Sequence, residues 1–345
     1  MGRRLLVLAL LVLAGCAQKP IELEQEQPQS QLRQAQASSP SLQYLGVGGY
    51  LLRWQGEALL FAPSFSNPAT IGLPPLAVSA DTAKIDQLMP EAGDVSMLLV
   101  GHAHYDHLLD VPHVLARHTP QAKVYGSKTM GHILAAVIPR ERIVDAEAVM
   151  ADGPRPGQWF YSPNRRIRAM AIRSEHAPHL LGMKFLGGQY DADLTELPRS
   201  VMGWREGQTL AWLVDLLDEE GGVRHRLHYQ DAASRPPLGL PPQLPDDKAV
   251  DVAILCVGAW DQAPAYPSVL LKRLQPRLAV LGHWEDFFGN DPRQPQGLRL
   301  QDIRGLIALT RVNLPPGGEL KLPVPFAQIP LPAPEGEDSR VSSLR

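Results

Sequence analysis

Val95-Ser96-Met97-Leu98-Leu99-Val100-Gly101-His102-Ala103-His104-Tyr105-Asp106-His107 sets four metal-capable side chains directly behind a short, almost wholly apolar run. Val95–Val100 reads as a strand buried on both faces. Loops that leave such strands are where layered α/β proteins place metal and catalytic groups. His102, His104, Asp106 and His107 therefore read as ligands, and imidazole with carboxylate suits zinc or another divalent transition metal. Two close metals need more ligands than one loop can give. His176, Asp231 and His283 follow, each near the end of a predicted strand. His179 rivals His176, and His228 and Asp218 rival Asp231.

The surrounding body alternates strands and helices, which predicts α/β layering. Tyr44–Leu52 and Ala58–Ala62 read as two strands turning near Gln55-Gly56. A helix is expected over Leu108–His118, started or broken near Pro112. A strand is expected at Val124–Gly126 and a helix over Ser127–Val137, with Ser127 as its N-cap. Further strands are read at Ile167–Ile172, Thr209–Leu217, Val223–Tyr229, Val252–Val257 and Leu278–Leu281, with a helix at Ser268–Leu274. Cys256, inside an apolar strand, reads as an inert buried thiol. His113, His118, His132 and His225 read as solvated side chains on helices or near a hairpin turn.

The order His-x-His-x-Asp-His, then an isolated His, an Asp and a last His, resembles the metallo-β-lactamase-fold hydrolases. Tyr44–Leu52, Leu59–Pro68 and His283–Phe288 resemble the branch that holds sugar-lactone hydrolases and N-acyl-phosphatidylethanolamine phospholipase D-like proteins. The resemblance covers roughly residues 42–325 and implies a four-layer αββα sandwich. It implies two divalent metal ions, zinc first, with manganese or iron as alternatives. His102, His104 and His176 would hold the first metal; Asp106, His107 and His283 the second; Asp231 would bridge them. It further implies hydrolysis of an ester-type bond, a phosphodiester or a lactone, by water made acidic between the metals. Asp106 and Asp231 would be the catalytic carboxylates. Tyr105, His179 and Trp284 are candidates for the substrate pocket. An iron-dependent oxidoreductase and a degenerate scaffold or binding module are the rival readings.

Two departures from the family pattern stand out. The second strand ends in Ala62-Pro63 where Asp-Pro is common. The bridging Asp follows Gln230, where Gly is usual. An Asp at position 62 would often support a metal-binding His, so its loss is expected to retune binding.

The chain of 345 residues carries 33 basic and 36 acidic side chains, with 44% hydrophobic and 20% charged residues. That excludes a disordered chain and gives no basic footprint for nucleic acid. Two Cys make a disulfide framework improbable. Arg3 and Arg4 precede the apolar run Leu5–Ala14, which is shorter than a membrane span and has the build of an export signal. Leu13-Ala14-Gly15-Cys16 resembles a bacterial lipobox. The expectation is a signal peptide over 1–15, a lipidated Cys16 and a flexible tether over 16–41. The domain then runs over 42–325, and a Pro-rich, disordered tail over 326–345. Ala17 in place of Asp points to the outer membrane, facing the periplasm. The lipid would anchor the protein, so the expected partners are that membrane and a small-molecule or phospholipid-type substrate. Residues 180–205, rich in Gly and polar side chains, leave open whether a lid covers the site.

Overall fold

The structure, a computed structural model, describes residues 40–66, 76–179, 181–246, 248–288 and 291–334. The expected signal peptide, Cys16 and all but the end of the tether lie outside the described residues, as do residues 335–345.

The body is two seven-stranded mixed sheets. The first contains β1 (Ser41–Gly46), β2 (Gly49–Trp54), β3 (Glu57–Phe61), β4 (Val95–Leu99), β5 (Lys123–Gly126), β6 (Ile143–Asp145) and β14 (Gln328–Pro330), in the order β14-β1-β2-β3-β4-β5-β6. The second contains β7 (Phe160–Tyr161), β8 (Ile167–Arg173), β9 (Leu210–Leu217), β10 (Val223–Tyr229), β11 (Val252–Cys256), β12 (Leu278–Gly282) and β13 (Glu319–Lys321), in the order β13-β12-β11-β10-β9-β8-β7.

Strand periodicity assigns each side chain to a layer. On β3 and β4, Leu59, Phe61, Met97 and Leu99 face the second sheet. Ala58, Leu60, Leu98 and Val100 face helices α1 (Thr82–Leu88), α3 (Val111–Arg117) and α4 (Lys128–Leu134). Helices α5 (Ser268–Leu274) and α6 (Ile303–Asn313) pack Leu270, Leu271, Ile303 and Leu306 against the second sheet. The result is the expected four-layer αββα sandwich. Between the sheets, Phe61 stacks on Tyr229 at 4.1 Å between ring centroids.

The second sheet gathers strand ends at one edge. β8 and β10 both run antiparallel to β9, while β10, β11 and β12 are mutually parallel. β8, β10 and β12 therefore point the same way, and their C-terminal ends share a rim.

Several local expectations are corrected. Tyr44–Leu52 is not one strand: the chain turns at Gly46, φ +98°, and Val47, φ +52°, to form the β1–β2 hairpin. Gly46, Gly48 and Gly49 are the turn signal in the sequence, and Leu45 and Val47, which keep the run apolar, mask it. The Leu108–His118 segment divides into the one-turn α2 (Tyr105–Leu108) and α3, with Asp110 between them as N-cap. The domain does not end at 325, because β14 pairs with β1 through Leu42 and Ile329. Ser127 caps α4 as expected, accepting from the Met130 amide.

His225 is not solvated. It is 1% exposed, packs edge-on against Trp54, and neither ring nitrogen has a hydrogen-bond partner. Its strand carries it inward, so position beside a turn was misleading. Burial brings His225 down to about 4, and likewise His228. The unfolded chain takes up those protons near pH 6.5, so unfolding binds protons between about pH 6.5 and 4. Stability is therefore full above that window and falls as the pH drops through it. The variant His225→Phe should lose roughly 1–2 kcal/mol less than the parent between pH 6.5 and 5. Urea unfolding of the two proteins at both pH values checks this; parallel losses would rule out His225 as a contributor.

Candidate metal centre

The seven predicted ligands meet at the rim where the strands end. Gly101 leaves β4, and His102 and the extended His104 follow. Because α2 begins at Tyr105, Asp106 and His107 sit on its single turn, and the His104 carbonyl accepts from the His107 and Leu108 amides. His176 lies just past β8, Asp231 just past β10 and His283 directly after β12. His102, His104 and His176 bring one donor atom each within 4.8 Å of one another, as do Asp106, His107 and His283, and His102, His107 and Asp231. The third group shares His102 with the first and His107 with the second, so Asp231 lies beside both.

Ring contacts describe the same convergence. The His102 centroid lies 4.3 Å from His107, 4.6 Å from His104 and 4.8 Å from His176. His107 lies 5.2 Å from His283. Asp231 reaches His102 Nδ1 at 3.1 Å and accepts from the Gly101 amide at 3.1 Å. Asp106 Oδ2 lies 3.3 Å from His283 Nε2 and 3.4 Å from His107 Nε2.

Other ring nitrogens are tied to backbone oxygens and fix how the rings turn. His104 Nε2 lies 3.3 Å from the Leu186 carbonyl, and His176 Nδ1 lies 2.6 Å from the Ala177 carbonyl. That leaves His104 Nδ1 and His176 Nε2 for the centre. His102 Nε2, His107 Nδ1 and His283 Nδ1 are buried without any hydrogen-bond partner. Polar atoms left unpaired in a dry interior are costly, and a cation is the natural partner for an imidazole lone pair.

The electrostatics agree. Burial holds His102, His104 and His107 below the usual imidazole range, and His176 down to about 4. They are neutral at pH 7, the form that binds metal. Burial opposes ionisation of Asp106, but His107 and the hydrogen bond from His283 outweigh it and hold the carboxyl well below its usual range. Burial pushes Asp231 up. His283 is held above the usual range: burial lowers it, but Asp106 more than offsets this. The donor set thus fits two divalent cations.

His283 takes φ +56°, a conformation rare outside glycine. Its amide donates to the Val47 carbonyl at 2.9 Å and to the Tyr44 hydroxyl at 3.0 Å. Tyr44 in turn donates to Glu285 at 2.5 Å, and Glu285 also accepts from the Val47 amide. Sequence reading missed Tyr44 in this role, and no local signal marks it, because its partners lie about 240 residues away.

The rivals resolve. His179 is outside the ligand groups; it stacks on His176 at 4.5 Å and accepts from the Phe185 amide at Nδ1. His228 Nε2 is bound to the Gly239 carbonyl, and Asp218 closes the β9–β10 turn on the Gly222 amide. Trp284, expected at the pocket, is instead wholly buried in the sandwich core, its indole donating to the Pro323 carbonyl. Tyr105 packs in the helix-side apolar cluster. Cys256 is buried, and burial pushes its thiol up, as an inert thiol requires. His132 pairs with Asp193, and His113 and His118 pair with Asp86, so none of these three is a free surface imidazole. Residues 181–190 adjoin the site: the Leu186 carbonyl meets His104, and Lys184 binds the buried Glu206.

A family model described as a beta-lactamase superfamily domain matches residues 59–284. No curated protein sequence matches the chain. Among solved structures, CmlA, a diiron β-hydroxylase from Streptomyces venezuelae, is similar at 14% identity and TM-score 0.50, over 86% of this chain and 55% of that one. Igni18, a metallo hydrolase from Ignicoccus hospitalis, matches at 13% identity and TM-score 0.49, over 84% of this chain and 97% of the other. YhfI of Bacillus subtilis, a metallo-beta-lactamase fold protein, matches at 12% identity and TM-score 0.48, over 85% and 100%. Identities this low speak to the fold alone. From the family match over residues 59–284 and the two-sheet architecture, the chain belongs to the beta-lactamase superfamily and has the metallo-β-lactamase fold.

Proposed function

We propose that this protein is a metal-dependent hydrolase of ester-type bonds, phosphodiesters or lactones, anchored by lipid at Cys16 to the outer membrane and facing the periplasm. The observation that carries the reaction is the meeting of five imidazoles and two carboxylates at one rim, with the buried His102 Nε2 left without a hydrogen-bond partner. His102, His104 and His176 would hold one divalent cation and Asp106, His107 and His283 the other, with Asp231 shared. Two such cations supply Lewis acidity that acidifies water and draws charge from the ester oxygen.

The chain's own groups do the rest. Asp231 is held from behind by Gly101, whose amide donates to Oδ2. A Cβ at Gly101 would overlap that carboxylate, so only glycine lets the strand end pass so close. His179 accepts a proton bond at Nδ1, which leaves its proton on Nε2. Stacked beside a ligand, that Nε2–H is a donor for a substrate oxygen or a departing alkoxide. Iron-dependent oxidation is the second reading, and its support is the fold shared with CmlA.

Elemental analysis should find two more zinc or manganese ions in the purified full chain than in His102→Ala/Asp231→Ala, and the variant should lose hydrolysis of phosphodiester and lactone probes. Iron in their place would move the reading to oxidation; a folded protein that takes up no metal would leave a scaffold. Gly101→Ala should weaken metal binding by roughly 10–100-fold, as loss of a supporting contact does. Metal retention during dialysis reads this directly. His176→Ala should lose metal, whereas His179→Phe should keep both ions and lower kcat/KM by roughly 100-fold or more. Metal loss in His179→Phe would instead make His179 the ligand.

A further inference from the structure

Outside the rim, a second group of metal-capable side chains lies on the helix layer. Asp86 of α1 faces α3, where His113 and the C-cap residue His118 reach it. Both Nε2 atoms converge on one oxygen, Asp86 Oδ1, at 2.7 Å and 2.8 Å. Positions five apart on a helix point about 140° away from each other, so these imidazoles do not share a face by spacing alone. They meet because the carboxylate lies between them. The three donor atoms lie within 4.8 Å of one another.

We infer that Asp86, His113 and His118 form a separate zinc site that pins α1 to α3. Two imidazoles and one carboxylate, with water completing the shell, make an ordinary open zinc site. Ligand atoms around a tetrahedral zinc lie about 3.3 Å apart, so each imidazole nitrogen needs to draw back from Asp86 Oδ1 by only about half an ångström. The side chains allow it: Asp86 is 45% exposed and the imidazoles are partly so, at 23% and 16%. The hydrogen bonds from His113 and His118 hold the Asp86 carboxyl below its usual range, so it is charged at neutral pH. Neither α1 nor α3 carries any of the seven rim residues, so this site can fill or empty independently. Its place still matters, because α3 follows α2, which carries Asp106 and His107, after only Leu109 and Asp110.

The test is zinc content of the full chain after dialysis against micromolar zinc, in the parent and in the His102→Ala/Asp231→Ala background. His113→Ala/His118→Ala should hold one zinc fewer in both. Asp86→Asn, which keeps the shape and a hydrogen-bond acceptor, should weaken that zinc at least tenfold. Circular dichroism establishes that each variant is folded. In the rim-defective background, zinc should raise Tm only while the trio is intact. If the double variant does not fold, Asp86→Asn and the Tm shift decide the matter. Equal zinc content in folded proteins, with no zinc-dependent Tm shift, would overturn the site and leave a hydrogen-bonded clamp.

Discussion

Five imidazoles and two carboxylates share one dry edge between two sheets. Such a cluster cannot be charged in the way separate surface groups are, since burying ions without partners costs several kcal/mol each. The protein answers by keeping most of the rings neutral and tying selected nitrogens to backbone carbonyls. The rings are then crowded together, with centroids 4.3 to 5.2 Å apart. Without a cation this is an unfavourable arrangement; with one it is a preorganised ligand shell. The site therefore has to be held open by the fold, and the topology is the means.

Each ligand segment leaves the C-terminal end of a strand: β4 in one sheet, β8, β10 and β12 in the other. That requires β8, β10 and β12 to run the same way, which mixed pairing achieves through the single reversed strand β9. The first sheet adds the β1–β2 turn, whose Val47 carbonyl takes the His283 amide. Tyr44 and Glu285 brace the same corner. The left-handed φ of His283 is thus held by contacts from the opposite sheet, which is how backbone strain persists at a functional position.

The ligand series was readable because its signals are local or ordered. Four donors in six residues after a strand buried on both faces admit few other readings, and His176, Asp231 and His283 fall at strand ends in the expected sequence. What stayed hidden depends on distant pairing. The β1–β2 turn lacks a polar break, β14 looks like tail until it meets β1, and His225 looks solvated until β10 turns it onto Trp54. His176 and His179 are rivals as letters; in the fold His176 reaches His102 and His104, while the Phe185 amide occupies His179 Nδ1.

The departure at Ala62 gains meaning from the partners actually used. Ala62 donates its amide to the Leu99 carbonyl and offers the ligands no carboxylate. The nearby buried Asp110 does not substitute for it, since it accepts from the Phe65 and Ser66 amides. His104 and His176 lean on neutral carbonyls instead. A carboxylate partner would make an imidazole more basic and add negative charge; a carbonyl does so far less. With Asp106 and Asp231 as the two carboxylate ligands, a pair of dications would keep a net positive charge at the rim. A centre so balanced attracts an anionic ester more strongly than a neutral one.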